Sequence, residues 1–96
     1  MCGIFGITIK NNYRYRLNYL KNDINKLFTL SESRGKEASG ISINNNNYIK
    51  VLKNSISPSK LIKTHDYNHL IDKEIKKKNN ENFCIIGHSR LVTNGS

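Results

Sequence analysis

The chain opens on an apolar run, MCGIFGITI, and this run leaves little freedom in how the molecule can fold. No charged residue interrupts the run, which predicts a buried strand over residues 3–10. Such a strand would hold the second residue, Cys2, rigidly at its end.

Strand and helix patterns alternate along the rest of the sequence. Apolar residues recur at helical spacing over roughly 16–32, which predicts an amphipathic helix. Two short β-type runs, 41–43 and 48–52, flank four asparagines suited to a hairpin turn. The pattern predicts a strand hairpin after the first helix.

A second helical part and a last strand follow the hairpin. Ser57 and Pro58 are typical of a helix cap and a first-turn proline. Apolar residues over 67–75 share one helical face, and residues 83–87 form a compact apolar strand. No repeat and no long linker divides the chain, so we predict one α+β unit over residues 1–96.

Composition limits where such a chain can work. Its 96 residues bury roughly 60 to 65% of their unfolded surface, so the core will be thin. Cys2 and Cys84 are too few for a disulfide framework, and no signal-peptide pattern precedes them. No apolar stretch approaches the ~20 residues of a membrane span. We expect a cytoplasmic protein without membrane contact.

The net charge is +9, from 16 Lys and Arg against 7 Asp and Glu, and a nucleic-acid binder is one interpretation. The lysines are spread among asparagines along the whole chain, and aromatic residues do not alternate with them. The lysine run 76–78 is interpreted as the solvated end of a helix. We therefore predict no nucleic-acid partner; a binder would show a steep salt dependence.

Cys2 directly follows the initiator Met1, and this position has a chemical meaning. Removal of Met1 leaves Cys2 with both a thiol and a free α-amino group. The thiol titrates near ~8.5 and needs help to lose its proton. The amine titrates near ~7.7 to 8.0 and can accept that proton. Cys2 is thus a candidate N-terminal nucleophile; the alternative is a cysteine in a disordered start.

Two further segments of the sequence favour the interpretation of Cys2 as a nucleophile. SRGKEASGI, residues 33–41, predicts a helix exit into a glycine-bracketed loop that feeds a strand. GHSRLVTNG, residues 87–95, is a polar cluster leaving a buried strand, a usual place for a binding site. Together with MCGI, and in this order, they resemble the class II glutamine amidotransferases, with patterns of the type MCGI, RGxxxxGI and GHxRxxTxG.

The resemblance implies a fold and a reaction. The fold is the N-terminal-nucleophile hydrolase α-β-β-α sandwich, of which residues 1–96 would form about the first half. The reaction is the glutaminase half-reaction, in which Cys2 attacks the glutamine side-chain amide and releases ammonia through a γ-glutamyl thioester. The acceptor would be one such as fructose 6-phosphate in amino sugar synthesis. The segments are similar to the glutaminase domains of both glucosamine-6-phosphate synthase and amidophosphoribosyltransferase, and no cofactor is implied.

The resemblance also implies a substrate site. Arg90 matches the arginine that holds the glutamine α-carboxylate, a role suited to the planar fork of a guanidinium; a surface salt bridge is the alternative. Thr93, Asn94 and Gly95 match positions around the substrate. Arg34 and Gly35 match the RG pair of the family, which we interpret as supporting the loop beside the nucleophile.

The remaining histidines and the second cysteine are given structural roles. His88 is predicted to be a core hydrogen-bonding residue, because the family uses the α-amine as its base. His65 and His69 have the i, i+4 spacing of a zinc pair, but no third ligand is evident, so no metal is predicted. Cys84 is predicted to be a buried packing residue.

The sequence also departs from the family. Leu91 stands where relatives usually have an aromatic residue. A downstream Asn-Gly pair that forms the oxyanion hole and a later acidic residue that binds the substrate ammonium have no match. Loss of one oxyanion donor costs about 2.7 to 4 kcal/mol, so we expect little activity from the chain alone.

We therefore expect a fragment, a truncated gene product or one half of a split domain, which needs a C-terminal half and a synthase domain. The strand ending at Gly87 should then have unpaired neighbours. The alternative is a non-catalytic remnant or a partner-dependent half. The sequence does not indicate an oligomeric state.

Overall fold

The computed structural model describes residues 2–9, 17–45, 48–76 and 83–91, which form a four-stranded antiparallel sheet and helices. The fold class is α+β, as predicted. In chain order the elements are β1 (Cys2–Ile9), α1 (Leu17–Ser31), a 3-10 helix (Glu32–Arg34), β2 (Ala38–Asn44), β3 (Ile49–Asn54), α2 (Pro58–Leu61), α3 (His65–Lys76) and β4 (Phe83–Arg90).

The last strand is longer than the sequence predicts. Its apolar run ends at Gly87, but β4 continues to Arg90, so His88, Ser89 and Arg90 lie within the strand and not after it. The reason is that two neighbouring strands pair with this polar part along its whole length. Parts of the asparagine tract and of the lysine run lie outside the described residues.

The strand order is β1-β4-β2-β3, which corrects the expectation of unpaired neighbours. Gly87 pairs with Phe5 of β1 on one side and with Ile41 of β2 on the other. β4, the last described strand, pairs with β1, the first, and is therefore a central strand of the sheet. The edges of the described sheet are β1 and β3.

Helices cover one face of this sheet. Ile41, Ile43 and Ile85 point from the strands into the core, and each is at most 1% exposed. The helices and β1 complete a single cluster, with Ile9, Leu20, Ile24, Phe28, Leu61, Tyr67, Ile71 and Ile75. Burial of each large apolar side chain contributes about 1.5–3 kcal/mol, so this cluster is the main source of stability.

The opposite face of the sheet is open, and this corrects two predictions. Ile4 is 76% exposed, so β1 is buried on one face only and not throughout. Ile49, Val51 and Ile86 are also exposed on this side. Cys84 is half-buried on the same face, where its Sγ accepts a 3.8 Å hydrogen bond from the hydroxyl of Thr8, and is not a core residue. The open face carries these exposed apolar side chains and has no covering layer among the described residues.

The spacing of apolar residues and the residues at the helix ends explain where the helices form. In α1, apolar residues at i, i+4 spacing face the core, as expected of an amphipathic helix. In α2, Ser57 is the N-cap and Pro58 occupies the first turn, as predicted. Among the described residues, no helix is both long and apolar enough to cross a membrane.

Three aromatic rings connect β1 to both long helices. Phe5 lies edge-to-face on Phe28 with ring centroids 4.8 Å apart, and Phe28 lies edge-to-face on Tyr67 at 5.8 Å. The Phe5 ring occupies the space above Gly87, where an added Cβ would lie 2.2 Å from a ring carbon. Gly87 is therefore a glycine because the Phe5 ring lies against its backbone.

Candidate active site

The three segments that carry the resemblance meet at one end of the sheet. The Cα of Cys2 pairs with that of Arg90 in the β1–β4 register. Ala38, the first residue of β2, pairs with Arg90 on the other side. The backbone N–H of Glu37 donates to the carbonyl oxygen of Arg90 at 3.0 Å. Arg90 thus lies between the beginnings of β1 and β2.

Gly35 packs directly on the backbone of Arg90. A Cβ at Gly35 would lie 2.4 Å from the carbonyl carbon of Arg90. The φ angle of Gly35, −172°, is one that any residue adopts, so close approach and not backbone conformation requires the glycine. The N–H of Gly35 also donates to the carbonyl oxygen of Glu32 at 3.1 Å. The RG segment therefore contacts the strand end that carries Arg90.

The C-terminal end of α1 is hydrogen-bonded to β4 next to Arg90. Ser89 is fully buried, and its hydroxyl donates to the carbonyl oxygen of Ser31 at 2.7 Å. A Cβ at Gly3 would lie 2.8 Å from Oγ of Ser89 and 3.1 Å from Cβ of Arg34. Residues of all three segments are thus in contact beside the N-terminal strand.

The side chains of Arg34 and Arg90 are exposed at this end of the molecule. Arg34 lines a solvent-open groove of about 370 Å³ together with Gly3, Ile4 and Ser31. This volume lies within the range of small-molecule sites, and the groove begins at the residue that follows Cys2. Arg90 is not among the residues that line this groove, because its side chain lies on the open face of the sheet.

His88 lies on the open face of the sheet, in contrast to the predicted core position. The ring covers Gly40, where a Cβ would lie 2.6 Å from Nε2 of His88. Lys53 pairs with Gly40 on the next strand, so it faces His88 across the glycine. Partial burial lowers the pKa of His88, and the positive charges of Lys53 and Arg90 lower it further. The imidazole is therefore mainly neutral near neutral pH.

We expect an NMR titration of the His88 ring to give a pKa below 6.5, and Lys53→Met to raise it. The unfolded chain then binds a proton to this ring at higher pH than the folded chain. The free energy of unfolding should therefore fall as the pH falls through 6.5 toward the lower folded pKa, and His88→Asn should flatten that dependence. A folded pKa at or above the ordinary value would contradict this environment.

Glu32 is a positioning contact that the sequence did not reveal. Its Oε1 accepts hydrogen bonds from the backbone N–H and the hydroxyl of Ser59, at 3.0 and 2.6 Å. These bonds lower the pKa of the Glu32 carboxyl, with the hydroxyl contributing most. The contact attaches the 3-10 helix, which ends at Arg34, to the beginning of α2. The partners are 27 residues apart, so no local pattern signals the pair.

Ser89 was also missed, although a signal exists for it. Residues two apart in a strand share a face, so Ser89 follows Ile85 and Gly87 onto the core side. A serine in that position needs a partner, and the end of α1 provides one. The apolar run alone ends too early to show this alternation.

The two helical histidines do not form part of the site. The rings of His65 and His69 stack 5.8 Å apart, and both side chains are exposed. In the ranges that the structure describes, no three His, Cys, Asp or Glu side chains are grouped to hold a metal. Thr93, Asn94 and Gly95, the other predicted substrate residues, lie outside the described residues.

No protein-family profile matches the chain, and no curated protein or solved structure is significantly similar to it. A functional assignment therefore depends on the residues at this end of the sheet and on the motifs that they belong to.

Proposed function

We propose that the chain forms the N-terminal half of a class II glutamine amidotransferase domain, with Cys2 as its nucleophile. The observation that supports this proposal most is the convergence of three distant segments on Arg90. Three motifs that are distant in sequence meet at one strand end. Parts of one active site must do so.

The proposed chemistry begins with removal of Met1. The free α-amine of Cys2 takes the thiol proton, directly or through a water, and the thiolate attacks the side-chain amide carbon of glutamine. The C–N bond breaks, ammonia leaves with the transferred proton, and a γ-glutamyl thioester remains. Water hydrolyses the thioester to glutamate and regenerates the thiol. The ammonia then reaches an acceptor such as fructose 6-phosphate.

Arg90 is the residue that we assign to the glutamine α-carboxylate. It is exposed, and its Cα is the register partner of the Cα of Cys2, so the carboxylate and the amide ends of one substrate can reach both residues. A guanidinium binds a carboxylate through two parallel hydrogen bonds. Arg34 and Gly35 support the strand end, and we assign Thr93, Asn94 and Gly95 to the pocket by resemblance.

The open sheet face supports the larger proposal about the fold. One helical layer and one sheet are half of an α-β-β-α sandwich, and exposed Ile4, Ile86 and Val51 lie where a second sheet would pack. We propose that a C-terminal half brings this sheet, the oxyanion donors and the ammonium-binding acid. The proposed setting is the cytoplasm, since two cysteines are too few for a disulfide framework.

The same open face favours a second candidate, a non-catalytic half that folds against a partner chain. The two candidates differ at the N terminus. A retained Met1 leaves no free amine on Cys2 and excludes the nucleophile mechanism. Intact-mass measurement of the purified protein distinguishes them before any assay.

The first test is covalent labelling of the full reading frame with a glutamine analogue that carries a chloromethyl ketone in place of the amide. The Cys2 thiolate should displace chloride and form a thioether, and excess glutamine should prevent the reaction. Cys84 is half-buried and free, and so provides an internal control. Peptide mass spectrometry locates the adduct.

We expect Met1 to be absent, the adduct to be on Cys2, and protection by glutamine to weaken in Arg90→Lys, because a point charge replaces a planar fork. Equal labelling of both cysteines, or labelling that glutamine does not reduce, would contradict the proposal. Retention of Met1 would leave the non-catalytic candidate.

A further inference from the structure

Two small residues of β2 form a low strip on the open face of the sheet. Ala38 pairs with Arg90 of β4, and Gly40 pairs with His88 of β4 on one side and with Lys53 of β3 on the other. Residues directly opposite each other in paired strands share a face of the sheet. Larger side chains of β4 and β3 therefore stand on both sides of the strip, whose floor is a glycine and a methyl group.

The imidazole of His88 reaches over this strip. A Cβ on Gly40 would lie 2.6 Å from Nε2 of His88, so this nitrogen lies above β2 and is directed towards β3. Lys53, on β3, is exposed on the same face. Arg90 follows His88 by two residues along β4, so it shares that face, and it is also exposed. Three nitrogen-bearing side chains thus border the strip.

The charges beside the strip have one sign. Lys53 and Arg90 both act on the imidazole of His88, and both lower its pKa. Cations that lie together without a counter-charge produce a positive potential that favours a bound anion. The other described side chains of the open face include no Asp or Glu; they are Ile4, Thr8, Ala38, Ser42, Asn44, Ile49, Val51, Cys84 and Ile86.

We infer that Arg90, His88 and Lys53 bind a phosphate group above Gly40. The fork of Arg90 alone satisfies a planar carboxylate. Donors on both sides of a glycine instead suit the tetrahedral oxygens of a phosphate, which carries a charge of about −1.5 to −2 at neutral pH.

Phosphate binding at the strip requires neither glutamine nor the chemistry of Cys2. Only one consequence rests on the proposed function. Because Arg90 is also assigned to the glutamine α-carboxylate, phosphate and glutamine should exclude each other from the site.

NMR of the histidine rings of the 96-residue chain tests this binding. Inorganic phosphate is added near neutral pH, with chloride keeping the ionic strength constant. The ring signals of His88 should shift and saturate at about millimolar phosphate. Phosphate should also raise the pKa of His88, because a nearby negative charge favours the imidazolium. His65 and His69 lie on α3, away from the open face, and their signals are the internal control.

Lys53→Met is compared with Lys50→Met as its matched control. Each variant removes one positive charge from β3, but Lys50 pairs with Ile43 on the core side, and its Nζ lies 5.3 Å from the ring centroid of Tyr48. Lys53→Met should weaken phosphate binding roughly fivefold, as expected for one unit charge close to the ligand in water. Lys50→Met should leave it within about twofold. Circular dichroism confirms that both variants are folded.

Methyl phosphate is the second probe. Binding at least as tight as that of inorganic phosphate supports a phosphate ester as the ligand, and weaker binding supports the free ion. Equal weakening in the two lysine variants, equal shifts of all three histidines, or a His88 shift that chloride reproduces would overturn the inference. None of these results bears on Cys2, whose assignment is tested separately by covalent labelling.

Discussion

Substitution of Cys2 with alanine is expected to abolish glutamine-dependent ammonia release from the full reading frame that encodes this chain. The loss should be roughly 10⁴-fold or more, as for other enzymes that lose a covalent nucleophile. Alanine keeps the free α-amine and the strand, and removes only the sulfur that forms the thioester. Rates of ammonia release are compared at saturating glutamine.

Cys84→Ala is the control for this experiment. Cys84 is the free cysteine on the open sheet face, where Thr8 donates to its sulfur. Its removal should leave the rate within a small factor of the starting value. Unchanged turnover in Cys2→Ala, or equal losses in both variants, would end the assignment of the nucleophile.

Replacement of Phe28 with alanine is expected to destabilise the fold by about 3–5 kcal/mol. Phe28 is 0% exposed and lies between the rings of Phe5 and Tyr67, so the truncation empties the centre of the aromatic contact. A domain of this size is stable by only about 5–15 kcal/mol, so the variant should be partly or wholly unfolded. Urea denaturation followed by circular dichroism measures the change.

Leu30→Ala is the matched comparison on the same helix. Leu30 is 63% exposed, and in dilute solution its truncation should change the free energy of unfolding by no more than about 0.5 kcal/mol. Similar losses in Phe28→Ala and Leu30→Ala would show that the aromatic contact is not the centre of the core.

The secondary structure was predictable because its signals are local. The helical spacing of apolar residues is visible directly in α1, and Ser57–Pro58 marks the beginning of α2. The end of β4 was not predictable in this way. Its polar residues take strand conformation because β1 and β2 pair with them, and those partners are distant in sequence.

In the candidate site, too, the sequence specifies some features and only the packing specifies others. The thiol and the adjacent α-amine of Cys2 are properties of the sequence, as is the fork of donors on Arg90. The attachments below them, Glu32 to Ser59 and Ser89 to Ser31, join residues 27 and 58 positions apart. No pattern within one segment can specify such pairs, because each depends on how the segments pack.

The sequence by itself determined which chemical groups this protein has and which local structures carry them. The tertiary structure decided the neighbours: β4 between β1 and β2, Arg90 opposite Cys2, and His88 on the open face. The reason is physical. Backbone propensity and apolar spacing act over a few residues, whereas strand order and contact between distant segments depend on burying one shared core.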